Sequence, residues 1–231
     1  MNTDSDNGPD REEGGAPMGP DRDEKGGTRM GADLAFVKGL VGEGARGRMS
    51  GGAVFLAAGL CYGLQCLLLW PETMGWFHWG AFGMVLGIAP SVIFASVLAY
   101  VLWTNRKDGQ TGVATRAINA AFGSAGLANM FIVAVFAYLA FYVEKNMLIW
   151  LLYPAVVCAF QGAVWYIAYM IRRQLWLALV SGGWFITTLA LGLLIRTPHY
   201  VLVLGLALTF LMGGSGYAMM RLAKKAETTA A

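Results

Sequence analysis

Two histidines, His78 and His199, are the only imidazoles in this chain of 231 residues. His78 follows Glu72 by six residues, His199 follows Arg196 by three, and Glu144 stands in a third charged segment. Two imidazoles and a carboxylate make a plausible donor set for a metal. Nothing in the spacing joins these three segments, however. The sequence therefore predicts polar side chains at a membrane boundary, with no metal and no cofactor. A two-haem cytochrome would need four axial histidines and is excluded.

Nucleophile chemistry fares no better. Ser215 lies in "MGGSGYAM", which is not a G-x-S-x-G elbow, and there is neither an H-E-x-x-H run nor an intramembrane aspartate pair. Cys61, Cys66 and Cys158 lie in apolar stretches. A single C-x4-C spacing is not a zinc signature, and five residues turn a helix by about 140°, so Cys61 and Cys66 do not share a face. These residues read as small packing groups, and the chain reads as a non-enzyme.

Four amides remain: Gln65, Asn119, Asn129 and Gln161. All fall inside long uncharged stretches. In such a place an amide either hydrogen-bonds a neighbouring helix or lines a solvated path through the membrane.

The elements that must hold these residues follow from composition. The chain is 57% hydrophobic and 13% charged, against roughly 25% charged in soluble domains. Six windows are long and apolar enough to span a bilayer: residues 51–70, 80–103, 117–142, 147–171, 175–195 and 199–220. No Asp, Glu, Lys or Arg lies inside any of them. The expected fold is an all-α bundle of six transmembrane helices. The lack of buried ionisable groups argues against a proton-driven pump, whose mechanism is a charge change at depth.

The spans carry marks of helix packing. Gly59-x3-Gly63 and Gly83-x3-Gly87 are small-residue pairs, and Asn119, Gly123, Gly126 and Met130 fall within about 60° on a helix wheel. That stripe, with Asn129 beside it, is unsuited to lipid and suited to a neighbouring helix. Pro90 and Pro154 each remove a helical donor, which predicts a kink. Spans two, four and six all exit on Tyr followed by bases: "YVLWTNRK", "YIAYMIRR" and "YAMMRLAKK". Three consecutive helical hairpins would give this rhythm. Aromatic belts and snorkelling bases also give it without any duplication.

Residues 1–30 hold eight acids and four bases with almost nothing apolar. Too little surface can be buried to offset the ordering entropy, so a disordered acidic tail is expected. It lacks the apolar core of a secretory signal. Residues 31–50 read as a short amphipathic helix, Asp33 to Val41, and a basic linker; 51–222 as the membrane domain; 223–231 as a second tail. With the N-terminus inside, every Lys and Arg of the 17 except Lys145 and Arg196 lies on the inner side. That bias places both ends in the cytoplasm. The inner bases read as topology signals and lipid contacts, not nucleic-acid contacts.

The lead-in "DLAFVKGLVGEG" before the span "GGAVFLAAGLCYGLQCLLLW" resembles a family of bacterial inner-membrane proteins that open on D-L-x-F/Y-V-x-x-L-V-x-x-G. Gly42 stands where that pattern often has an acid, with Glu43 next to it. The resemblance would run from residue 33 to about 225. It implies a bacterial inner membrane and a six-span fold, and no catalytic residues, since the family has no established activity. The function expected from the whole sequence is a non-catalytic accessory or sensory subunit acting through helix packing and its cytoplasmic tail. It would have the lipid bilayer and a membrane or cytoplasmic protein, or a second copy, as partners. The alternative is a small transporter or channel for neutral or amphipathic solutes, with the amides lining the path.

Overall fold

The computed structural model describes residues 50–76, 78–104 and 113–230. The acidic tail, the helix expected at Asp33–Val41 and the basic linker up to residue 49 lie outside these described residues. Six helices among them are long and apolar enough to cross a membrane: α1 Ser50–Thr73, α2 Ala81–Thr104, α3 Val113–Tyr138, α4 Met147–Arg172, α5 Leu175–Leu194, and a sixth made of α6 His199–Ala207 and α7 Gly214–Ala230. No strand occurs among the described residues. The chain is an all-α, multi-pass membrane protein. Helices suit this medium because each satisfies its own backbone donors and acceptors where lipid offers none. The observed spans match the expected windows to within a few residues, except that the sixth starts as expected at His199 and stays helical to Ala230.

Two spans include π-helical turns. α3 runs on through Leu139–Val143, where the Glu144 N–H donates to the Leu139 carbonyl at 2.9 Å. In the sixth span Leu208–Gly213 joins α6 to α7, and the Gly214 N–H reaches both the Phe210 and Thr209 carbonyls. Such bulges widen the helix by one residue per turn and recur at functional positions. The helices also run through both prolines, Pro90 in α2 and Pro154 in α4.

The turns follow local chemistry. Asn146 caps α4: its side-chain oxygen accepts from the Leu148 N–H at 2.9 Å. Between α4 and α5 only Arg173 and Gln174 intervene. Arg173 is left-handed (φ 53°) and its N–H donates to the Tyr169 carbonyl at 2.6 Å, closing the helix as glycine usually does.

Packing divides the helices in two groups. α1, α4, α5 and the sixth span each bury 22–28% of their apolar window, while α2 and α3 bury 6%. The core is built on α4 and α5, where Ala155, Cys158, Trp165, Leu177, Trp184 and Leu191 meet Tyr200 and Ala207 of α6. α3 lies against α4, and α2 is held to α1 by a ring contact between Tyr62 and Phe94 at 5.5 Å and by the bonds described below. Phe55, Phe122 and Trp165, with centroids 4.9–5.4 Å apart, tie α1, α3 and α4 together, and Trp176 of α5 lies 6.0 Å from Trp165.

Candidate functional site

The first and sixth spans meet along glycine. A Cβ built on Gly59 would overlap the backbone of Gly213, and one on Gly63 would overlap Thr209. A Cβ on Gly52 would come to 2.8 Å from the Gly216 carbonyl, and Gly216 in turn lies against the Leu56 backbone. Gly52, Gly59 and Gly63 share one stripe of α1 at spacings of seven and four. Thr209, whose hydroxyl donates to the Gly205 carbonyl at 2.8 Å, fills the space beside Gly63. This seam depends on backbones approaching where any side chain would hold them apart, and it coincides with the π-helical turn.

The second glycine pair lies elsewhere. Gly83 has the Trp79 Cβ 3.3 Å from a built Cβ, whereas nothing lies within 4 Å at Gly87. The stripe of α3 faces away from the other described helices. Asn119, Gly123, Gly126 and Met130 are exposed, and nothing lies within 4 Å of a Cβ built on either glycine. Among the described residues no helix covers this surface.

The four amides fall on separate faces. Gln65 of α1 donates from Nε2 to the Gly87 carbonyl of α2 at 3.2 Å. Asn129 of α3 accepts from the Tyr153 hydroxyl of α4 at 3.0 Å. Asn119 is exposed. The buried Oε1 of Gln161 has no hydrogen-bond partner among the described residues, a condition shared by the indole nitrogens of Trp70, Trp165 and Trp184. A cleft of about 340 Å³ lies between α1 and α2. Its walls are apolar, set by Leu60, Leu64, Leu68, Phe82, Val85 and Ile93, and Gln65 and Pro90 also touch it; the other three amides do not.

Several polar contacts had no clear mark in the sequence. Ser181 of α5 donates to the Gly162 carbonyl of α4 at 2.8 Å, and Tyr200 of α6 donates to the Leu151 carbonyl of α4. The Trp79 indole donates to the Leu68 carbonyl at 3.1 Å, pinning the start of α2 to the end of α1. A hydroxyl in an apolar run has no periodicity of its own, so only the fold reveals which carbonyl it reaches.

At the end of the bundle holding the histidines, the first and last turns come together. Thr73 and the Pro198 carbonyl are 3.4 Å apart, and the rings of Trp70 and His199 are 6.5 Å apart. His78 Nδ1 lies 3.9 Å from Glu72 Oε1, and the imidazole is largely exposed. No group of three or more His, Cys, Asp or Glu is placed to hold a metal ion among the described residues. The three cysteines are all free thiols, with Cys158 buried. No protein-family model, no curated protein and no solved structure matches this chain.

Proposed function

We propose that this chain is a non-catalytic subunit of a bacterial inner membrane, with both ends in the cytoplasm, that acts by docking another transmembrane segment on α3. The observation behind the reading is the outward face of α3, where an amide and two glycines are presented with no helix among the described residues against them. Lipid tails gain little from such residues, whereas a second helix gains close contact and interhelical hydrogen bonds. Two of the four amides, Gln65 and Asn129, are engaged with neighbouring helices, as packing residues would be. The orientation rests on the distribution of Lys and Arg, and the membrane on the resemblance of the lead-in.

The test is capture from native membranes in mild detergent. The full chain is compared with Gly123→Leu/Gly126→Leu and with a chain lacking residues 1–48. The expected result is a specific membrane protein that co-purifies with the wild type and is lost from the α3 variant, whose thermal midpoint is unchanged. Identical protein sets from wild type and α3 variant, or no captured protein, overturn the reading. The transport alternative, whose support is the cleft beside Gln65 and Pro90, makes a different forecast. Changing Gln65, the one amide that touches this cleft, to Leu would leave a stable protein that has lost solute flux in proteoliposomes.

A further inference from the structure

One end of the bundle gathers bases. The pairs Phe122–Trp165 and Asn129–Tyr153 run α3 antiparallel to α4, and Gly162–Ser181 and Trp165–Trp176 run α4 antiparallel to α5, so α3 begins, α4 ends and α5 begins at the same end, where the alternation of spans also brings α7 out. There the sequence places Arg116, Arg172, Arg173, Arg221, Lys224 and Lys225, while the whole stretch from Lys145 to Ala226 contains no acid. By the expected topology the eight acids of residues 1–30 fall on this side too, so the positive excess is local to these helix ends.

Arg173 is the most constrained of these bases. It holds the left-handed cap of α4, a conformation in which a Cβ is penalised and glycine is usual. Its side chain is nevertheless exposed. The next residue is fixed as well, because the Trp176 indole donates to Gln174 Oε1 at 2.9 Å. On either side of the turn the chain exposes apolar surface: Met170 and Ile171 before it, and Leu175, 74% exposed, after it. Tyr166 and Tyr169 on α4 add aromatic rings of the kind that sit at headgroup depth. Arg116 stands on the first turn of α3, the helix that packs on α4 through Phe122 and Trp165.

We propose that the Arg173 turn binds the phosphate of an anionic phospholipid in the leaflet at this end, with Arg116 adding to the attraction from the neighbouring helix end. A guanidinium presents parallel N–H donors to a phosphate. The exposed Ile171 and Leu175 beside it offer a surface for acyl chains, which a free phosphate would not use. The ligand is therefore a lipid.

The full-length protein is placed in nanodiscs of equal phosphatidylcholine and phosphatidylglycerol, and the lipids that stay bound are identified by native mass spectrometry. The wild type is expected to retain phosphatidylglycerol preferentially, and raised salt is expected to weaken the preference. Each base removed should lower the enrichment by about fivefold, the worth of one cation at a charged surface, so Arg116→Gln with Arg173→Gln lowers it more than either alone. Lys145→Gln with Arg196→Gln, at the opposite end, should leave it unchanged. Arg173→Gly supplies a second readout: relief of the left-handed strain keeps or raises the thermal midpoint in phosphatidylcholine while the enrichment falls. Equal retention of the two lipids by the wild type, an enrichment untouched by Arg173→Gln, or a loss as large in the opposite-end control overturns the proposal.

Discussion

The hydrogen bond from Tyr153 to Asn129 is a side-chain pair that joins two helices. Tyr153→Phe should lower stability by about 0.6 kcal/mol, the mean for such bonds in membranes. Equilibrium unfolding in mixed micelles reads this, and the paired change with Asn129→Leu isolates the coupling. Gln161 is the opposite case. Its buried carbonyl oxygen lacks a partner among the described residues, and such an atom costs about 1–3 kcal/mol. Gln161→Met, similar in volume and apolar, should therefore hold or raise the thermal midpoint. A lower midpoint would show that the amide makes a contact on which the fold depends. The sequence marked both amides as either bonded to a neighbouring helix or lining a solvated path. It could not separate them, because the partner of Asn129 is a tyrosine on the next helix, and a tyrosine near a span end reads equally well as part of an aromatic belt.

The glycines sort the helices. Gly59 sits where any Cβ meets the Gly213 backbone, and Gly123 sits where a Cβ meets nothing. Gly59→Ala should cost about 1–3 kcal/mol, as overpacking does when backbone is the obstacle. Gly123→Ala should be neutral or stabilising by about 0.5–1 kcal/mol, since alanine is the better helix former. Parallel thermal melts of the two variants decide this, and equal losses would mean that α3 is covered after all. The location and type of every span were legible in the sequence, since apolar length and the absence of charge are properties of each segment alone. Which small-residue pair forms an interface was not legible. Gly59-x3-Gly63 and Gly83-x3-Gly87 have the same spacing, and only the arrangement of distant spans puts Thr209 and Gly213 against the first and leaves Gly87 open. The π-helical turn Leu208–Gly213 was equally hidden, because its apolar residues fit an ordinary helix.

At the scale of the molecule, an even number of spans puts both ends of the membrane domain on one side, and the bases choose the side. Reporter fusions after residue 231 and within the segment 105–112 should both report the cytoplasm, while a fusion near Lys145 should report the opposite face. A discordant pair would require one of the six helices to lie outside the bilayer. The lightly buried α2 and α3, each with 6% of its apolar window buried, are the ones whose removal from the core would disturb least.

The seam between α1 and the sixth span also governs the order of biosynthesis. Gly52, Gly59 and Gly63 find their counterparts in residues 205–220, so the first segment to enter the bilayer waits for the last. At ~5–20 residues per second, that wait is roughly ten to thirty seconds with a bare glycine ridge facing whatever else the insertion machinery holds. A ribosome that stops before Thr209 leaves a nascent chain that cannot form this seam, and such truncated products should be cleared by membrane proteases far faster than the finished protein. Supplying the missing last helix as a separate polypeptide should rescue them.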